Sequence, residues 1–444
     1  MSSTTESVHS VSSDEFATLI EKELQWTSSE DEDDIESVRI KRRKVEELDD
    51  AEESQEATSI AMVPQTSDGA GAVNLETCLH QAPIFGGMCS LCGQFVNDHP
   101  AVSLGYIHKH LKVGTEEMNR IRGSDLKSLL RGRKLILVLD LDHTLLNSTR
   151  IDDLSAEEEH LIKNADSLQD IPNGSLFKVD VIRMLTKLRP FVRTFLKEAS
   201  SLFELFIYTM GERFYASWMA KLLDPEETYF NEKVISKDDC TQEHRKSLDV
   251  VLGADNAVVI LDDTEAVWSR HKENLILMDR YHFFASSGRP FGHSGKSLSE
   301  LKRDENEKDG ALATVLEVLK RIHEMFFTQE YASNPTNADV RKVLKKVRAE
   351  VLKDCRLVFS RVWKLGERPH NQRLWEMAQQ LGATCCTELD ESVTHLVSTD
   401  TGTEKARWAV QRKKFLVHPR WIEAANYLWR RQPEEQFSVN QIKK

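Results

Sequence analysis

Four short and almost entirely apolar runs lie in the middle of the chain, and stretches with helical spacing separate them. The runs are KLILVLD (134–140), FELFIYTM (203–210), AVVILDD (257–263) and LILM (275–278). The helical stretches include RMLTKLRPFVRTFLKEAS (183–200) and RFYASWMAKLLD (213–224). Apolar strands that alternate with helices are typical of a parallel sheet whose two faces are both covered. The pattern therefore predicts an α/β domain with helices on both faces of a parallel sheet.

A second alternating pattern follows toward the C-terminus. Residues 311–353 have helical spacing, most clearly in ALATVLEVLKRIHEMFF. From residue 355 the pattern predicts a strand (CRLVFSRV), helix, turn and strand (LWEMAQQLGATCC), a strand (VTHLVST), and strand then helix (KFLVHPRWIEAANYLW). A block of roughly a hundred residues has the size of a domain. We therefore expect a separate, small α/β domain here.

The first 75 residues have a different composition. They are rich in Ser, Thr, Glu and Asp, and Phe16 and Trp26 are their only aromatic residues, which predicts a disordered acidic tail. Within it, DEFATLIEKELQW (14–26) has four apolar residues on one helical face, which fits a partner-docking helix or a transient helix equally well. The cluster RIKRRK (39–44) indicates a nuclear import signal, the alternative being a run that balances the neighbouring acidic block.

The overall composition excludes several classes of protein. The net charge of −13 argues against direct binding of nucleic acid, which usually requires a basic face. Seven cysteines in 444 residues do not form the pattern of a disulfide framework and indicate a reducing compartment. No apolar run has the length that spans a membrane, and the N-terminus has no signal-peptide pattern. We therefore expect an intracellular protein that binds neither nucleic acid nor membrane.

A possible metal site precedes the first apolar run. In CLHQAPIFGGMCSLCG (78–93), Cys78, His80, Cys89 and Cys92 form C-x-H followed by C-x-x-C. Four such ligands suit a tetrahedral, closed, structural zinc site, and the neighbouring glycines allow a tight turn around an ion. The alternative is a loop of four ordinary residues. We predict zinc within a segment covering residues 76–115.

Acidic residues end two of the predicted strands. Asp140 and Asp142 end the first run, and Asp262 and Asp263 end the third. The carboxyl ends of parallel strands form the usual ligand site of such sheets. Clustered carboxylates there are tolerable with a cation between them, and Mg²⁺ prefers carboxylate oxygens while keeping waters that a phosphate can replace. One carboxylate of the D-x-D pair could attack phosphorus while the other transfers a proton.

Two further residues supply what phosphoryl transfer needs around the phosphate oxygens. Thr209 offers a hydroxyl at the end of the second run, with Gly211 just beyond, and Lys246 opens a helical stretch and offers a positive charge. Each feature alone usually has an ordinary structural role, such as a turn or a cap. Their shared position near strand ends favours a site for phosphoryl transfer.

The succession DLDHTL, YTMG, a lysine and LDD resembles the haloacid-dehalogenase superfamily. Within it, residues 120–298 resemble the FCP-type phosphatases that act on the C-terminal repeat domain of RNA polymerase II, most of all the plant C-terminal-domain-phosphatase-like group. The resemblance implies a nuclear, Mg²⁺-dependent protein-serine phosphatase that regulates transcription. Its implied partners are the phosphorylated repeat domain and, as a second candidate, the general transcription factor TFIIF.

The same resemblance implies a role for each motif residue. The implied nucleophile is Asp140 and the implied general acid and base is Asp142; Thr209 and Lys246 bind phosphate. The magnesium ligands are then Asp140, Asp142 through its backbone, Asp262 and Asp263. Thr144 matches the motif threonine that orients the loop, and Lys237 stands where relatives have an arginine, which puts a phosphate contact there in doubt.

The C-terminal block resembles a BRCT domain through LGA (381–383), THLV (394–397) and HPRWIEAA (418–425). Trp421 matches the core tryptophan of that fold and is expected to pack. Ser360 and Lys405 stand near the phosphate-binding positions of some members, but Arg361 replaces their common glycine, so we expect this pocket to serve as a scaffold.

The resulting division of the chain is a tail (1–75), a zinc segment (76–115), a phosphatase domain (120–298), a helical connector (299–352) and a BRCT domain (353–444). Two alternative hypotheses remain: a nuclear binding scaffold with a non-essential phosphatase fold, and a phosphatase for small phosphate esters. An insertion over the site, for which residues 150–175 are the candidate, would favour the small-ester alternative.

Overall fold

The computed structural model describes residues 82–96, 100–166, 173–292, 295–364 and 366–439. The predicted tail, with its import signal and its candidate docking helix, lies outside these residues, as do Cys78 and His80. Within the described ranges, no helix is both long enough and apolar enough to cross a membrane.

Strands and helices alternate through most of the described chain. The strands are β1 (Ile84–Phe85), β2 (Met88–Cys89), β3 (Ala101–Ser103), β4 (Leu111–Gly114), β5 (Leu135–Leu139), β6 (Leu146–Arg150), β7 (Leu176–Val179), β8 (Met184–Leu188), β9 (Phe203–Tyr208), β10 (Val234–Ile235), β11 (Val258–Asp262), β12 (Leu275–Leu277), β13 (Arg356–Ser360), β14 (Thr384–Cys386), β15 (His395–Ser398) and β16 (Phe415–Val417). The helices are α1 (Thr115–Arg131), α2 (His160–Lys163), α3 (Val192–Leu202), α4 (Arg213–Leu223), α5 (Ala285–Gly288), α6 (Ala311–Met325), α7 (Tyr331–Ser333), α8 (Val340–Arg348), α9 (Arg373–Gln380), α10 (Glu404–Gln411) and α11 (Arg420–Leu428).

A five-stranded parallel sheet in the order β10-β9-β5-β11-β12 forms the centre of the fold. Every residue of β5 is fully buried, and alternate residues of this strand enter two different hydrophobic clusters. Leu135, Leu137 and Leu139 pack in one cluster with residues of α3 and α6. Ile136 and Val138 pack in the other with residues of α1 and the N-terminal strands. Both faces are therefore covered, and the predicted fold class is confirmed.

A three-stranded antiparallel sheet in the order β6-β8-β7 lies between β5 and α3 in the chain. The prediction of one helix over residues 183–200 is therefore wrong in its first half. Met184–Leu188 pairs with strands on both sides, and Arg189 precedes Pro190, a position that disfavours helical backbone. The helix begins only at Val192, after Phe191 at φ +70°.

The segment predicted to be helical from residue 311 to 353 contains α6, a π-helical turn (Phe326–Glu330), α7 and α8. The apolar residues of α6, such as Leu312, Val315 and Leu319, belong to the same hydrophobic cluster as Leu135, Leu137 and Leu139 of β5. The hydrophobic core of that sheet therefore extends into the predicted connector.

The C-terminal block contains a parallel sheet in the order β14-β13-β15-β16, with α9, α10 and α11 as its helices. Gly382 forms the turn before β14 at φ +94°, where a Cβ atom would collide with the carbonyl of Ala349. Trp421 is fully buried and its Nε1 donates to the carbonyl of Gln432 at 2.9 Å. This tryptophan packs in the core, as the sequence predicts.

Candidate active site

Asp140 and Asp262 lie side by side at the carboxyl ends of two neighbouring strands. Asp140 follows β5, Asp262 ends β11, and the amide of Asp140 donates to the carbonyl of Leu261 at 3.0 Å. Both carboxylates are buried. Lys246 Nζ lies between them, 2.5 Å from Asp140 Oδ1 and 2.7 Å from Asp262 Oδ2. The fold thus brings together three of the predicted site residues.

Three carboxylates form a compact group that could hold a cation. One oxygen each of Asp140, Asp262 and Asp263 lies within 4.8 Å of the others. Burial, and then the charge of Asp262, raises the pKa of Asp140 well above its usual range despite the lysine. The oxygens of such a crowded, desolvated set match the ligands that hard divalent cations prefer. The Asp142 side chain does not belong to this group, which leaves its backbone as the predicted contact.

The environment keeps Lys246 charged. Its ammonium group is buried, which lowers the pKa, but Asp140 and Asp262 outweigh burial and raise the pKa above its usual value. Asp262 is in turn held by Trp268 Nε1 at 2.7 Å and by the amide of Thr264 at 2.7 Å. Lys246 therefore remains a fixed positive charge beside Asp140, as an anion-binding residue requires.

Asp142 has different surroundings from Asp140. Its side chain is only half-buried, and the hydroxyl of Tyr215 on α4 donates to Asp142 Oδ1 at 2.5 Å. The Tyr215 hydroxyl also contacts Ser148 Oγ at 3.0 Å. Thr144, two residues further along, is fully buried, and its hydroxyl has no hydrogen-bond partner among the described residues. The two aspartates of the D-x-D pair thus lie in clearly different environments.

Thr209 lies beside this loop, just beyond the end of β9. The pairing of β9 with β5 brings its strand end next to that of Asp140, and the buried Thr209 Oγ1 accepts from the amide of Gly211 at 3.0 Å. Lys237 is close to the same turn, since its amide donates to the carbonyl of Gly211 at 3.0 Å. The structure therefore places the predicted hydroxyl, and the lysine at the arginine position, at this edge of the sheet.

Four residues that support this site were not predicted. Tyr215 donates to Asp142 and Trp268 donates to Asp262. Arg280 pairs with Asp263 at 2.7 Å. The fully buried Arg189 binds the loop after Asp142. The position of Arg189 directly before Pro190 is a weak signal in the sequence. The other three residues carry no such signal.

Comparison with known proteins identifies the family. Residues 135–328 match the NLI interacting factor-like phosphatase family, and residues 365–421 match the twin BRCT domain. The RNA polymerase II C-terminal domain phosphatase-like 4 of Arabidopsis thaliana is 52% identical, over 98% of this chain and 97% of that protein. The chain belongs to the family of RNA polymerase II C-terminal domain phosphatases.

Other members of this phosphatase family extend the comparison. Phosphatase-like 3 of Arabidopsis thaliana is 42% identical over 75% of this chain and 28% of that protein. The structure of Fcp1, described as an essential RNA polymerase II CTD phosphatase, superimposes with a TM-score of 0.56 at 25% identity, covering 72% of this chain and 99% of Fcp1.

Ser360 and Lys405, which the sequence places near a phosphate-binding position, form hydrogen bonds within the C-terminal domain of this phosphatase. Ser360 Oγ lies 3.3 Å from Thr403 Oγ1, and Lys405 Nζ donates to the carbonyl of Thr387 at 3.1 Å. Arg361 has φ +59°, a conformation that favours glycine. This agrees with the glycine that some BRCT domains carry there, while the scaffold interpretation of the pocket remains a prediction.

Half of the predicted zinc site lies in the described part of the phosphatase. Cys89 is in β2, and Cys92 follows in a tight turn in which the amide of Gly93, at φ +71°, donates to the carbonyl of Cys89 at 2.9 Å. Such a turn lets two cysteines approach one ion. Since the other two ligands, Cys78 and His80, lie outside the described residues, the zinc site remains a prediction.

Residues 150–175 were the predicted place for an insertion over the site. In the structure this segment connects β6 to β7 and contains α2 (His160–Lys163). Residues 167–172 lie outside the described part. Asp142 forms a bridge with Leu146, the first residue of β6. The sheet therefore starts directly at the rim of the site.

Proposed function

We propose that the chain is a Mg²⁺-dependent protein-serine phosphatase that removes phosphate from the C-terminal repeat domain of RNA polymerase II. The observation that carries the proposal is the buried group of Asp140, Lys246 and Asp262 at the ends of parallel strands. It occurs in a chain that is 52% identical to a relative named for this substrate. Hydrolysis of a phosphoprotein follows from family membership, and the choice of serine and the aspartyl-phosphate route are the proposed details.

In the proposed reaction, a carboxylate oxygen of Asp140 attacks the phosphorus of phosphoserine. The bond from phosphorus to the serine oxygen breaks, and Asp142 gives its proton to that oxygen. Asp142 then takes a proton from water, whose oxygen attacks phosphorus and releases inorganic phosphate and free Asp140. Lys246 and Thr209 stabilise the charge that develops on the phosphate oxygens. The different surroundings of the two aspartates support this division of roles.

The carboxylates fit the proposed magnesium ion. Asp140, Asp262 and Asp263 would hold it, together with the backbone of Asp142, and when bound it would neutralise charge on the phosphate oxygens. We also propose a nuclear location, as the substrate requires. A contact with TFIIF rests on the resemblance alone and remains a prediction.

The test is phosphate release from repeat peptides that carry one phosphoserine at the second, fifth or seventh position, with Mg²⁺ or with a chelator. We expect release from at least one peptide, dependence on Mg²⁺, and loss of at least about 10³-fold in Asp140→Asn. The exposed Asp309→Asn serves as the matched control and keeps its activity. Full activity of Asp140→Asn, or hydrolysis of small phosphate esters alone, would overturn the proposal and favour one of the two alternative hypotheses.

A further inference from the structure

The backbone carbonyls of the loop that carries the two aspartates accept hydrogen bonds from residues elsewhere in the chain. Arg189 Nη1 donates to the carbonyl of Thr144 at 3.0 Å and to that of His143 at 3.4 Å. The amide of Arg189 donates to the carbonyl of Leu145 at 3.0 Å, and the amide of Tyr281 donates to that of His143 at 2.8 Å. Two residues from distant parts of the chain thus fix residues 143–145, directly after Asp142.

Both holding residues depend on two neighbouring acids that follow the predicted phosphatase domain. Glu305 binds Arg189 through two parallel contacts, Nε to Oε2 at 2.9 Å and Nη2 to Oε1 at 2.7 Å. Asp304 accepts from the Tyr281 hydroxyl at 2.8 Å and pairs with Lys187 at 2.9 Å. The Arg189 guanidinium also lies over the Tyr281 ring, 5.2 Å from its centroid.

We propose that Asp304 and Glu305 are positioning residues for the active site, acting through Tyr281 and Arg189. The side chain of Arg189 has no exposed surface, so its charge requires a buried or half-buried partner, and two-point binding to a carboxylate also fixes the guanidinium plane. Without Glu305, Arg189 must rearrange to find another partner. The carbonyl of Thr144 then loses its arginine donor, and that of His143 keeps only the amide of Tyr281.

The consequence for catalysis follows from the position of the loop. A displacement of about 1 Å at reacting groups can reduce a rate about 100-fold, and residues 143–145 adjoin Asp142. The chain beyond residue 298, which the sequence suggests is a connector, would thus complete the support of the catalytic loop. This inference rests on the proposed function for its kinetic readout.

The experiment compares Glu305→Gln, Glu305→Asp and the exposed Glu307→Gln in the full chain. Glutamine keeps the shape but lacks the charge, and one of its polar atoms is a donor that faces another donor. We expect Glu305→Gln to lower kcat by about 30- to 100-fold on both a phosphoserine peptide and p-nitrophenyl phosphate, with KM changed less than threefold. Glu305→Asp should recover part of kcat, and Glu307→Gln should match the unmodified chain.

Backbone amide exchange separates this inference from the proposed function. The measurement is made at a temperature where circular dichroism shows that all variants are folded. Amides of residues 143–146 should exchange faster in Glu305→Gln than in the unmodified chain, and at the same rate in Glu307→Gln. If the unmodified chain has no phosphatase activity, the proposed function fails while the exchange still tests the positioning. Unchanged kcat together with unchanged exchange in Glu305→Gln would overturn the inference. If Glu305→Gln does not fold, Tyr281→Phe, which loses the contact to Asp304, provides the same two readouts.

Discussion

At the residue scale, Lys246 is the positive charge between two buried carboxylates, and its removal should reveal their repulsion. Lys246→Met leaves Asp140 and Asp262 without their cation, so we expect a stability loss of roughly 3–5 kcal/mol at pH 7.5 and no measurable phosphate release. Burial raises the pKa of both carboxyls. The folded state therefore binds protons above the pH at which the unfolded state loses them, and lowering the pH restores stability.

Urea unfolding of Lys246→Met at pH 7.5 and pH 5.5 tests this expectation. The deficit relative to the unmodified chain should shrink at pH 5.5, and the exposed Lys353→Met should show no deficit at either pH. A deficit that is equal at both pH values would contradict the proposed repulsion.

Tyr215 provides a second test at this scale because its hydroxyl holds Asp142. In Tyr215→Phe the proposed proton donor loses its fixed orientation, and we expect kcat on a phosphoserine peptide to fall about tenfold. The effect on p-nitrophenyl phosphate should be smaller, since nitrophenolate leaves without needing a proton. Steady-state kinetics measure the loss of kcat in Tyr215→Phe on each substrate. An equal loss on both would show that Tyr215 does not act through proton transfer.

The sequence allowed prediction of the charged residues but not of the residues that hold them. Asp140 and Asp262 stand at strand ends, where the pattern of apolar runs points to them, and the structure brings them together with Lys246 from the segment between β10 and β11. Tyr215 binds Asp142 across 73 residues, and such a tertiary contact has no fixed spacing in the sequence. Trp268 lies six residues after Asp262, and nothing in the apolar pattern predicts its hydrogen bond to that carboxylate. The same limit applies to Glu305, which is 116 residues from Arg189.

At the element scale, runs of apolar residues correctly predicted the central strands, whereas segments that mix polar and apolar residues did not predict their own structure correctly. β5, β9, β11 and β12 were predicted because a parallel strand covered on both faces is apolar at nearly every position. The segment MLTKL also fits a helical pattern, and it became β8 because β6 and β7 offer hydrogen bonds on both its edges. Pairing with distant strands is tertiary information that local spacing does not contain.

The helix α6 gives the prediction that belongs to this scale. Leu319 is fully buried in the cluster shared with the central sheet, so Leu319→Ala should lower the free energy of unfolding by about 2–5 kcal/mol. The exposed Glu317→Ala on the same helix should change it by less than about 1 kcal/mol. Thermal unfolding of both variants measures the difference. Equal stabilities would mean that α6 contributes little to the core.

At the scale of the whole molecule, the BRCT block and the phosphatase core share an interface. Trp429, directly after α11, belongs to the hydrophobic cluster of the central sheet, and Arg348 Nη2 donates to Asn426 Oδ1 at 2.7 Å. Nothing in the sequence pattern predicts this contact, because each block has its own complete alternation of strands and helices. Since the two blocks bury residues against each other, destabilising one should affect the stability of the other.

His395 in the BRCT sheet makes that stability depend on pH. Its ring is stacked between Phe415 and Trp421 at centroid distances of 4.9 and 4.7 Å, and burial lowers its pKa to about 4 despite the contact with Glu434. Between about pH 6.5, where an unfolded histidine titrates, and pH 4, the unfolded state binds the proton and the folded state does not. Stability is therefore lost as the pH falls through this window, by about 2 kcal/mol at pH 5.

Urea unfolding at pH 7.5 and pH 5, followed by tryptophan fluorescence, measures this loss. Other groups also titrate in this pH range, so the deciding comparison is between variants. His395→Gln should lose less stability between the two pH values than the unmodified chain does. The exposed His370→Gln should lose as much stability as the unmodified chain. Because Trp429 joins the BRCT block to the phosphatase core, acidification should weaken both parts in one transition. A loss of the same size in His395→Gln would assign the acid sensitivity to other groups.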